Sequence, residues 1–330
     1  MGYEESNKVK VLISILNWNK ARVTLSCIES LQSEIGTNQL EVKVFVIDNG
    51  SREEDFNILD NGLRAYNVTL KKLPKNIGFT GGHNISINIA SDECYDFIWL
   101  LNNDATVIPG CLKELVSTMQ QDPSCGVASP IIRNVGDENI IATCLRTHDW
   151  KLRSYKQIST IEDGKKFQAE HPDKVWLVGT AAFFRVAALK KVGLLDDRLF
   201  AYYDDNDIGV RLGVAGWHSR CVLSASVAHE SKKSAEQYPP YFYYLMHRNE
   251  MLFWHKHTPK MHRRLLWLKL LDTSLFNINK LYRKGLRIQG DAALLGVSDF
   301  LRGRFGAPAL DRKAPFLLRT LCKISAIRNG

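Results

Sequence analysis

The chain has 330 residues, 45% of them apolar and 24% charged, with seven cysteines and a net charge of +9. That length accommodates one large α/β domain and a smaller appendage, and the composition excludes disordered and fibrous classes. The cysteines form no CxxC pair, so neither a disulfide framework nor a zinc site is expected. No apolar run reaches the roughly eighteen residues of a membrane span.

The segment from Met1 to Lys10 is polar and lacks the apolar core of a signal peptide, which points to the cytoplasm. Val9 to Leu16 is a mostly apolar run of strand length, and Ala21 to Leu31 follows with helical spacing. Val42 to Ile47 predicts a second buried strand and Glu53 opens a polar helix. Val68 to Leu73 and Phe97 to Leu101 predict further strands, with Gly81 to Ala90 as the helix between them. Largely apolar strands separated by helices belong in a parallel sheet covered on both faces. Ligands bind such sheets beyond the carboxyl ends of the strands, and polar residues cluster there: Asn17 and Asn19, Asp48 and Asn49, then Asn102, Asn103 and Asp104.

Cys125 to Thr160 is shorter and mixed in pattern, and Glu162 to Lys174 is charged without an apolar stripe, which predicts a mobile surface loop. Val175 to Val186, apolar around Gly179, returns to the sheet. Asp204 to Ala215 predicts a helix closed by Gly216, and Trp217 to Ala228 one or two short strands. Three helices rich in cations and aromatic residues are expected at Tyr241 to His257, Arg263 to Tyr282 and Ala292 to Phe305. From Tyr241 onward 17 Lys and Arg face 5 Asp and Glu, a net of +12, which leaves −3 on the first 240 residues. The division expected is therefore residues 1–240, with the nucleotide-type site in the part to about 120, followed by a basic helical region at 241–330.

Several segments carry chemistry. Asp48, at a strand end before Asn49-Gly50-Ser51, suits a nucleobase or ribose contact and equally a turn or helix cap. Asn76-Ile77-Gly78-Phe79 with Gly81-Gly82-His83-Asn84 is a glycine-rich entry to a helix, where amides and the helix dipole suit a phosphate or ribose. Asn102-Asn103-Asp104 presents hard oxygen donors that suit Mg²⁺ or Mn²⁺ beside substrate phosphates. Asp204, Asp205 and Asp207 begin a helix below Tyr202 and Tyr203; an aromatic, partly desolvated setting raises a carboxylate's pKa and suits a general base. Asp207 stands four residues from Arg211, the spacing of a helical ion pair, and reads as structural. His229 follows a return strand; it reads as a satisfied core or surface histidine and is equally able to face these acids.

Together these segments resemble the family-2 glycosyltransferases of the GT-A fold, especially the rhamnosyltransferase-like and galactofuranosyltransferase-like members. The resemblance runs from about Val9 to Asn249 and rests on the order of the motifs, which end in Gly179, Asp204-Asp205-x-Asp207 and Arg248-Asn249. It implies a nucleotide-binding α/β half with a mixed central sheet. It further implies that Asn17, Asn19, Asp48, Asn76, Gly78, Gly82, Asn102 and Asn103 bind the nucleotide-sugar, and that Gly179, Thr180 and Tyr203 face the acceptor. Asp104 and His229 would hold Mg²⁺ or Mn²⁺, with Asp204 and Asp205 as the catalytic acid pair and Asp205 as base. The family's aspartate-x-aspartate is Asn102-x-Asp104 here, one charge fewer. The reading requires Asp104, Asp205 and His229 to share one cleft.

The implied activity is inverting transfer of a sugar, first rhamnose from dTDP-rhamnose and next a hexose from UDP, to a glycan or lipid-linked acceptor. A sugar nucleotidyltransferase would need a basic glycine-rich loop where Asn17-Trp18-Asn19 stands, and a sugar- or lipid-binding scaffold would not need Asp104, Asp205 and His229 together. The basic helical region fits an anionic surface at the inner face of the cell membrane; packing against the catalytic domain or a homodimer is the alternative. Nucleic acid is not expected, because no recognition motif accompanies the charge.

Overall fold

The computed structural model describes residues 8–35, 40–135, 137–149, 154–230, 234, 236, 238–258 and 260–329; the N-terminal residues behind the cytoplasmic expectation lie largely outside them. The chain divides into two compact units, Met1–Leu195 with Ile208–Ser231, and Asp196–Asp207 with Lys232–Gly330.

The first unit opens with β1 (Val9–Asn17), α1 (Ala21–Ser30), β2 (Leu40–Asp48), α2 (Glu53–Leu63), β3 (Val68–Lys72), α3 (Gly78–Asp92) and β4 (Phe97–Leu101). A short β5 (Ala105–Val107), α4 (Cys111–Gln121), β6 (Cys125–Asn134) and β7 (Asp137–Thr143) follow. Then come β8 (Leu145–Asp149), β9 (Ser154–Ile158), α5 (Ile161–Glu170), β10 (Ala181–Arg185) and α6 (Val186–Val192). The unit closes with most of α7 (Asp204–Val214) and with β11 (His218–His229). The central sheet runs β3-β2-β1-β4-β10-β6-β11-β5, with β7 beside β6. Its first four strands are parallel. The antiparallel β10 then makes it a mixed sheet.

Alternation along the strands builds a core on each face. Val11, Ile13 and Ile15 of β1 join Phe97, Trp99 and Leu101 of β4 in one cluster. Leu12 joins Ile98 and Leu100 in the other. Each such side chain, taken out of water, contributes about 1.5–3 kcal/mol, so strands buried on both faces read as continuous apolar runs.

The predicted loop at Glu162 to Lys174 is instead α5 followed by a 3₁₀ turn at Pro172–Lys174. Thr160 caps the helix by accepting the Asp163 N–H at 3.1 Å, and Glu162 and Asp163 sit in the first turn, where the helix dipole favours acids. Its buried residues are Gly164 and Gln168, and Gln168 exchanges hydrogen bonds with the Cys221 backbone at 2.6 and 3.2 Å. A small and a polar residue on the inward face leave no apolar stripe to read. Of the one or two strands expected at Trp217 to Ala228, one forms, β11, with a register shift between Val222 and Ser226.

The second unit holds α8 (Pro240–His257), α9 (Arg263–Arg283), α10 (Arg287–Leu301) and α11 (Phe316–Asn329), the last unforeseen in the sequence. Tyr243, Tyr244, Leu252, Leu275, Ile278, Leu294, Val297 and Leu318 form its core. The aromatic residues of α8 thus build an interior, and α10 is buried along most of its length, so neither is the basic amphipathic surface helix predicted. The side chains of Arg263, Arg264 and Leu265 lie outside the described residues.

Helices α8 and α10 meet at Gly296, where a Cβ would stand 2.2 Å from the Tyr244 carbonyl oxygen. In an open helix, glycine to alanine gains about 1 kcal/mol of propensity. Here backbone overlap reverses the sign, because overpacking costs typically 1–3 kcal/mol and a carbonyl cannot swing aside like a side-chain tip. Gly296→Ala is therefore expected to lower Tm by several degrees in calorimetry; a raised Tm would contradict this packing.

Candidate active site

The first three parallel strands to be paired end together, and their carboxyl ends carry a hydrogen-bonded polar network. Asn17 and Asp48 are register partners on β1 and β2, and both are fully buried. The Asn17 amide donates to Asp48 Oδ1 at 2.9 Å, to Ser51 Oγ at 3.1 Å and to Asp55 Oδ2 at 3.0 Å, while its oxygen accepts from Thr24 Oγ1 at 2.8 Å. The second Asp48 oxygen accepts the Ser51 N–H. Asn19, in the left-handed region at φ 53°, donates its N–H to Ser51 Oγ and accepts the Arg52 N–H. Asn103 donates to Thr24 Oγ1 at 2.9 Å. In this structure Asn17 and Asp48 organise the loops beyond the strands, with Thr24, Ser51 and Asp55 as members the sequence reading missed. The visible signal for Asp55 was its place in the first turn of a polar helix beside Ser51.

The glycine-rich segment lies inside α3, which starts at Gly78, three residues earlier than predicted. Asn76 Oδ1 accepts the Gly78 N–H, and Asn49 holds the turn from the other side through the Ile77 N–H and the Gly78 carbonyl. Gly82 packs against Leu16, whose side-chain end would have to shift to admit a Cβ, 2.8 Å away. Asn84 bolts α3 to the Leu195 backbone through both ends of its amide.

Beyond β4 the chain meets its return strands. The Asn102 N–H donates to the Thr180 carbonyl at 2.9 Å, which brings Thr180 and Gly179 beside the end of β4. Strand β5 pairs antiparallel with β11 and sets Ala105 opposite His229. That register carries the imidazole to Asp104: His229 Nε2 lies 3.1 Å from Asp104 Oδ1, with side chains 22% and 34% exposed. Lys20 Nζ stands 3.4 Å from Asp104 Oδ2. Burial by itself raises the Asp104 pKa, but hydrogen bonding and charge from His229, joined by Lys20, outweigh it and lower it to about 2.

The donor set fits a divalent ion. Cis donors on an octahedral ion with bonds of ~2.1 Å lie ~3 Å apart, close to the 3.1 Å that separates these two atoms. The exposed Lys20 ammonium already sets a positive charge against the second carboxylate oxygen. Among the described residues no group of three His, Cys, Asp or Glu gathers to hold an ion, so Asp104 and His229 would share it with water and substrate oxygens, as Mg²⁺ and Mn²⁺ commonly are. A cavity of about 920 Å³ lined by Asp122, Lys165, His218 and Arg220 lies at the opposite end of β11 from His229 and is not part of this arrangement.

The acid pair begins α7 and belongs to the second unit. Asp204 is buried, and its pKa stands well above the usual carboxylate range because of that burial and then the neighbouring Asp205 charge. Asp205 is half-buried and accepts from the Asn206 backbone and amide, both at 2.8 Å. Asp207 is tied to Lys256 at 2.7 Å and His257 at 2.8 Å, which gives it a structural part. Tyr203, half-buried at φ 68°, packs near Phe253 with ring centroids 5.8 Å apart.

A parallel sheet with a polar carboxyl edge, extended by antiparallel strands that set His229 beside Asp104, is a mixed sheet of the GT-A fold. The sequence profile of glycosyl transferase family 2 matches residues 12–193, and the chain belongs to that family. It is 26% identical over 238 residues, 64% of this chain and 74% of the relative, to N-acetylglucosaminyl-diphospho-decaprenol L-rhamnosyltransferase of Mycobacterium tuberculosis. Among solved structures it is similar to Staphylococcus aureus TarS 1–349 in complex with UDP-GlcNAc, at TM-score 0.57 and 12% identity over 97% of this chain and 89% of that one. It is also similar to GalNAc-T7 with UDP, GalNAc and Mn²⁺, at TM-score 0.55 and 16% identity over 69% of this chain; there it spans only 45% of the other protein's length.

Proposed function

We propose that this glycosyltransferase moves a sugar, first of all rhamnose from dTDP-rhamnose, with inversion onto a hydroxyl of a glycan or lipid-linked glycan. The observation that carries the reading is the contact between Asp104 and His229, brought about by the β5–β11 pairing at the carboxyl edge of the parallel strands. The first preference for rhamnose follows the mycobacterial relative.

Breaking a sugar–diphosphate bond requires stabilising the negative charge left on the departing diphosphate. Asp104 and His229 would hold a divalent ion, which would supply that stabilisation as a Lewis acid. Lys20 adds a further cation beside Asp104. The polar network of Asn17, Asp48 and Ser51 fixes the loops that receive the nucleotide. Asp205 takes the proton from the acceptor hydroxyl as it attacks the anomeric carbon from the face opposite the leaving group. A single displacement inverts the anomeric centre, whereas a retaining route through the enzyme needs a second carboxylate as nucleophile. Asp204, largely uncharged, sits beside the base without competing for the proton.

The test is a thermal-shift panel of dTDP-rhamnose, UDP-GlcNAc, UDP-glucose and GDP-mannose with and without Mn²⁺. A donor at a hundred times its Kd stabilises the folded chain by about 2.7 kcal/mol, so the true donor should raise Tm by several degrees, and more with Mn²⁺. Product NMR then reports the anomeric configuration. A flat response to every donor, or a retained configuration, would end the proposal; a response to UDP-GlcNAc alone would replace rhamnose by a UDP-hexose.

We further propose that the second unit holds the enzyme at an anionic membrane surface. No helix among the described residues is long and apolar enough to cross a membrane. On α11, however, Phe316 is 85% exposed and Leu317 69%, with Ile324, Arg319 and Lys323 also on the surface. Such a face is that of an interfacial helix, and each cation near anionic lipid adds about 1 kcal/mol. Co-flotation with anionic but not zwitterionic vesicles is expected, and Leu317→Gln with Lys313→Glu and Lys323→Glu should abolish it. Binding undiminished by that triple change would refute the surface assignment.

A further inference from the structure

The acid pair is preceded by an unusual stretch of backbone. Phe200, Tyr202 and Tyr203 all adopt left-handed conformations, at φ 66°, 67° and 68°. For L-residues with bulky side chains each such conformation costs on the order of 1 kcal/mol or more and persists only where surrounding structure fixes it. The loop is not glycine-rich, so its shape is imposed from outside.

One face of α8 imposes it. Asn249, fully buried, aims its amide at three loop carbonyls: Leu199 at 2.9 Å, Ala201 at 2.8 Å and Tyr202 at 3.0 Å. Arg248, also fully buried, donates to the Arg198 and Leu199 carbonyls at 3.0 Å each and to the Gly306 carbonyl at 2.7 Å. Its Nε donates to Asn249 Oδ1 at 3.0 Å, so the arginine orients the amide. Two turns further along the helix, Lys256 bridges the two ends of the loop, at 2.9 Å from Asp196 and 2.7 Å from Asp207. Residues 196–207 form an Ω-like loop closed by one ammonium and held at its middle by one amide.

We propose that Arg248 and Asn249 are positioning residues that hold Phe200 to Tyr203 left-handed and thereby set the direction in which Asp204 and Asp205 leave the loop. This rests on the reading of Asp205 as base. The Asn249 amide and one Arg248 nitrogen are satisfied by carbonyls of residues 198–202 that the left-handed turn points inward; relaxed to the extended region, the loop would leave those buried N–H groups without these partners. Lys256 closes the loop but does not reach its carbonyls, so its part is to limit the loop's excursions.

The test compares Asn249→Ala with wild type in the full chain, following nucleoside diphosphate release from dTDP-rhamnose and UDP-GlcNAc with Mn²⁺ and deuterium uptake of residues 196–207. Folded Asn249→Ala should lose at least about tenfold in kcat, keep donor KM within about twofold, and take up deuterium faster in that segment alone. Adding Phe200→Gly, which accepts a positive φ without a Cβ, should restore part of kcat. Unchanged kcat and uptake would overturn the proposal. If Asn249→Ala does not fold, Asn249→Asp serves in its place: it keeps the shape and the acceptor for Arg248 but loses the N–H donors to the loop carbonyls, so it should raise uptake across 196–207 and lower kcat, and wild-type values would equally overturn the proposal. Asp205→Asn is run in parallel. If Asp205→Asn turns over normally while Asn249→Ala loosens the loop, the base assignment fails and the hold on the loop stands.

Discussion

Replacing Asp205 by asparagine is expected to lower kcat by ~10²–10⁴, the range of a lost general base, with donor KM little changed. The side chain keeps its shape and its link to Asn206, so the fall reports chemistry rather than folding. Asp204 supplies the internal control. Its carboxyl is buried beside Asp205, and its raised pKa keeps it largely uncharged at neutral pH. An amide replaces a neutral acid at small electrostatic cost, so Asp204→Asn should lose less than about tenfold. A raised pKa also means that Asp204 costs stability progressively as pH rises from the unfolded value of about 4 to the folded value, because the unfolded chain ionises first, and the cost is complete above the folded value. Asp204→Asn should therefore flatten the loss of stability between about pH 4 and about pH 8 in pH-dependent melts. If Asp204→Asn proves the more damaging variant in steady-state assays, the two roles must be exchanged.

The strands of the first unit were legible because burial on both faces leaves an uninterrupted apolar signature, as from Val9 to Leu16. The order of polar residues at strand ends was legible for the same reason: each marks where a strand leaves the core. The pairing of Asp104 with His229 came from the family resemblance and not from any local pattern. His229 meets Asp104 because the three-residue β5 pairs with the end of β11, and a three-residue strand has no pattern of its own. Asp48 carried two equal readings, and its hydrogen bonds to Asn17 and Ser51 could not be read from either segment alone. The helix at Ile161–Glu170 was hidden because its buried face is Gly164 and Gln168, the latter satisfied by the Cys221 backbone. The part played by Arg248-Asn249 was invisible for a different reason. A motif of two polar residues on a helix gives no hint that its ligands are backbone carbonyls fifty residues earlier, since carbonyls have no sequence identity.

Asp104→Ala is expected to reduce kcat/KM by ~10² and to remove most of the response to Mn²⁺. Lewis-acid assistance is worth several kcal/mol, and about 1.4 kcal/mol corresponds to tenfold, so even half of that effect is readily measured. With its pKa lowered to about 2, the Asp104 carboxylate is ionised throughout the range in which the enzyme can be assayed; its stabilising contribution is complete above roughly pH 4 and fades only as pH falls toward 2. An acid limb of activity near neutrality must therefore arise from another group. The departure at Asn102 gives the converse experiment. Asn102 lies at the end of β4, its backbone fixed by Thr180, so Asn102→Asp adds a carboxylate without changing the backbone frame. Added negative charge near Asp104 should lower the Mn²⁺ concentration needed for half-maximal activity, at the cost of like-charge repulsion in metal-free protein that shows as a lower Tm without Mn²⁺. Loss in Asp104→Ala together with gain in Asn102→Asp would mark this edge as the cation site. A Mn²⁺ response that survives intact in Asp104→Ala would move the ion elsewhere and leave the His229–Asp104 pair as a structural tie between β11 and the end of β4.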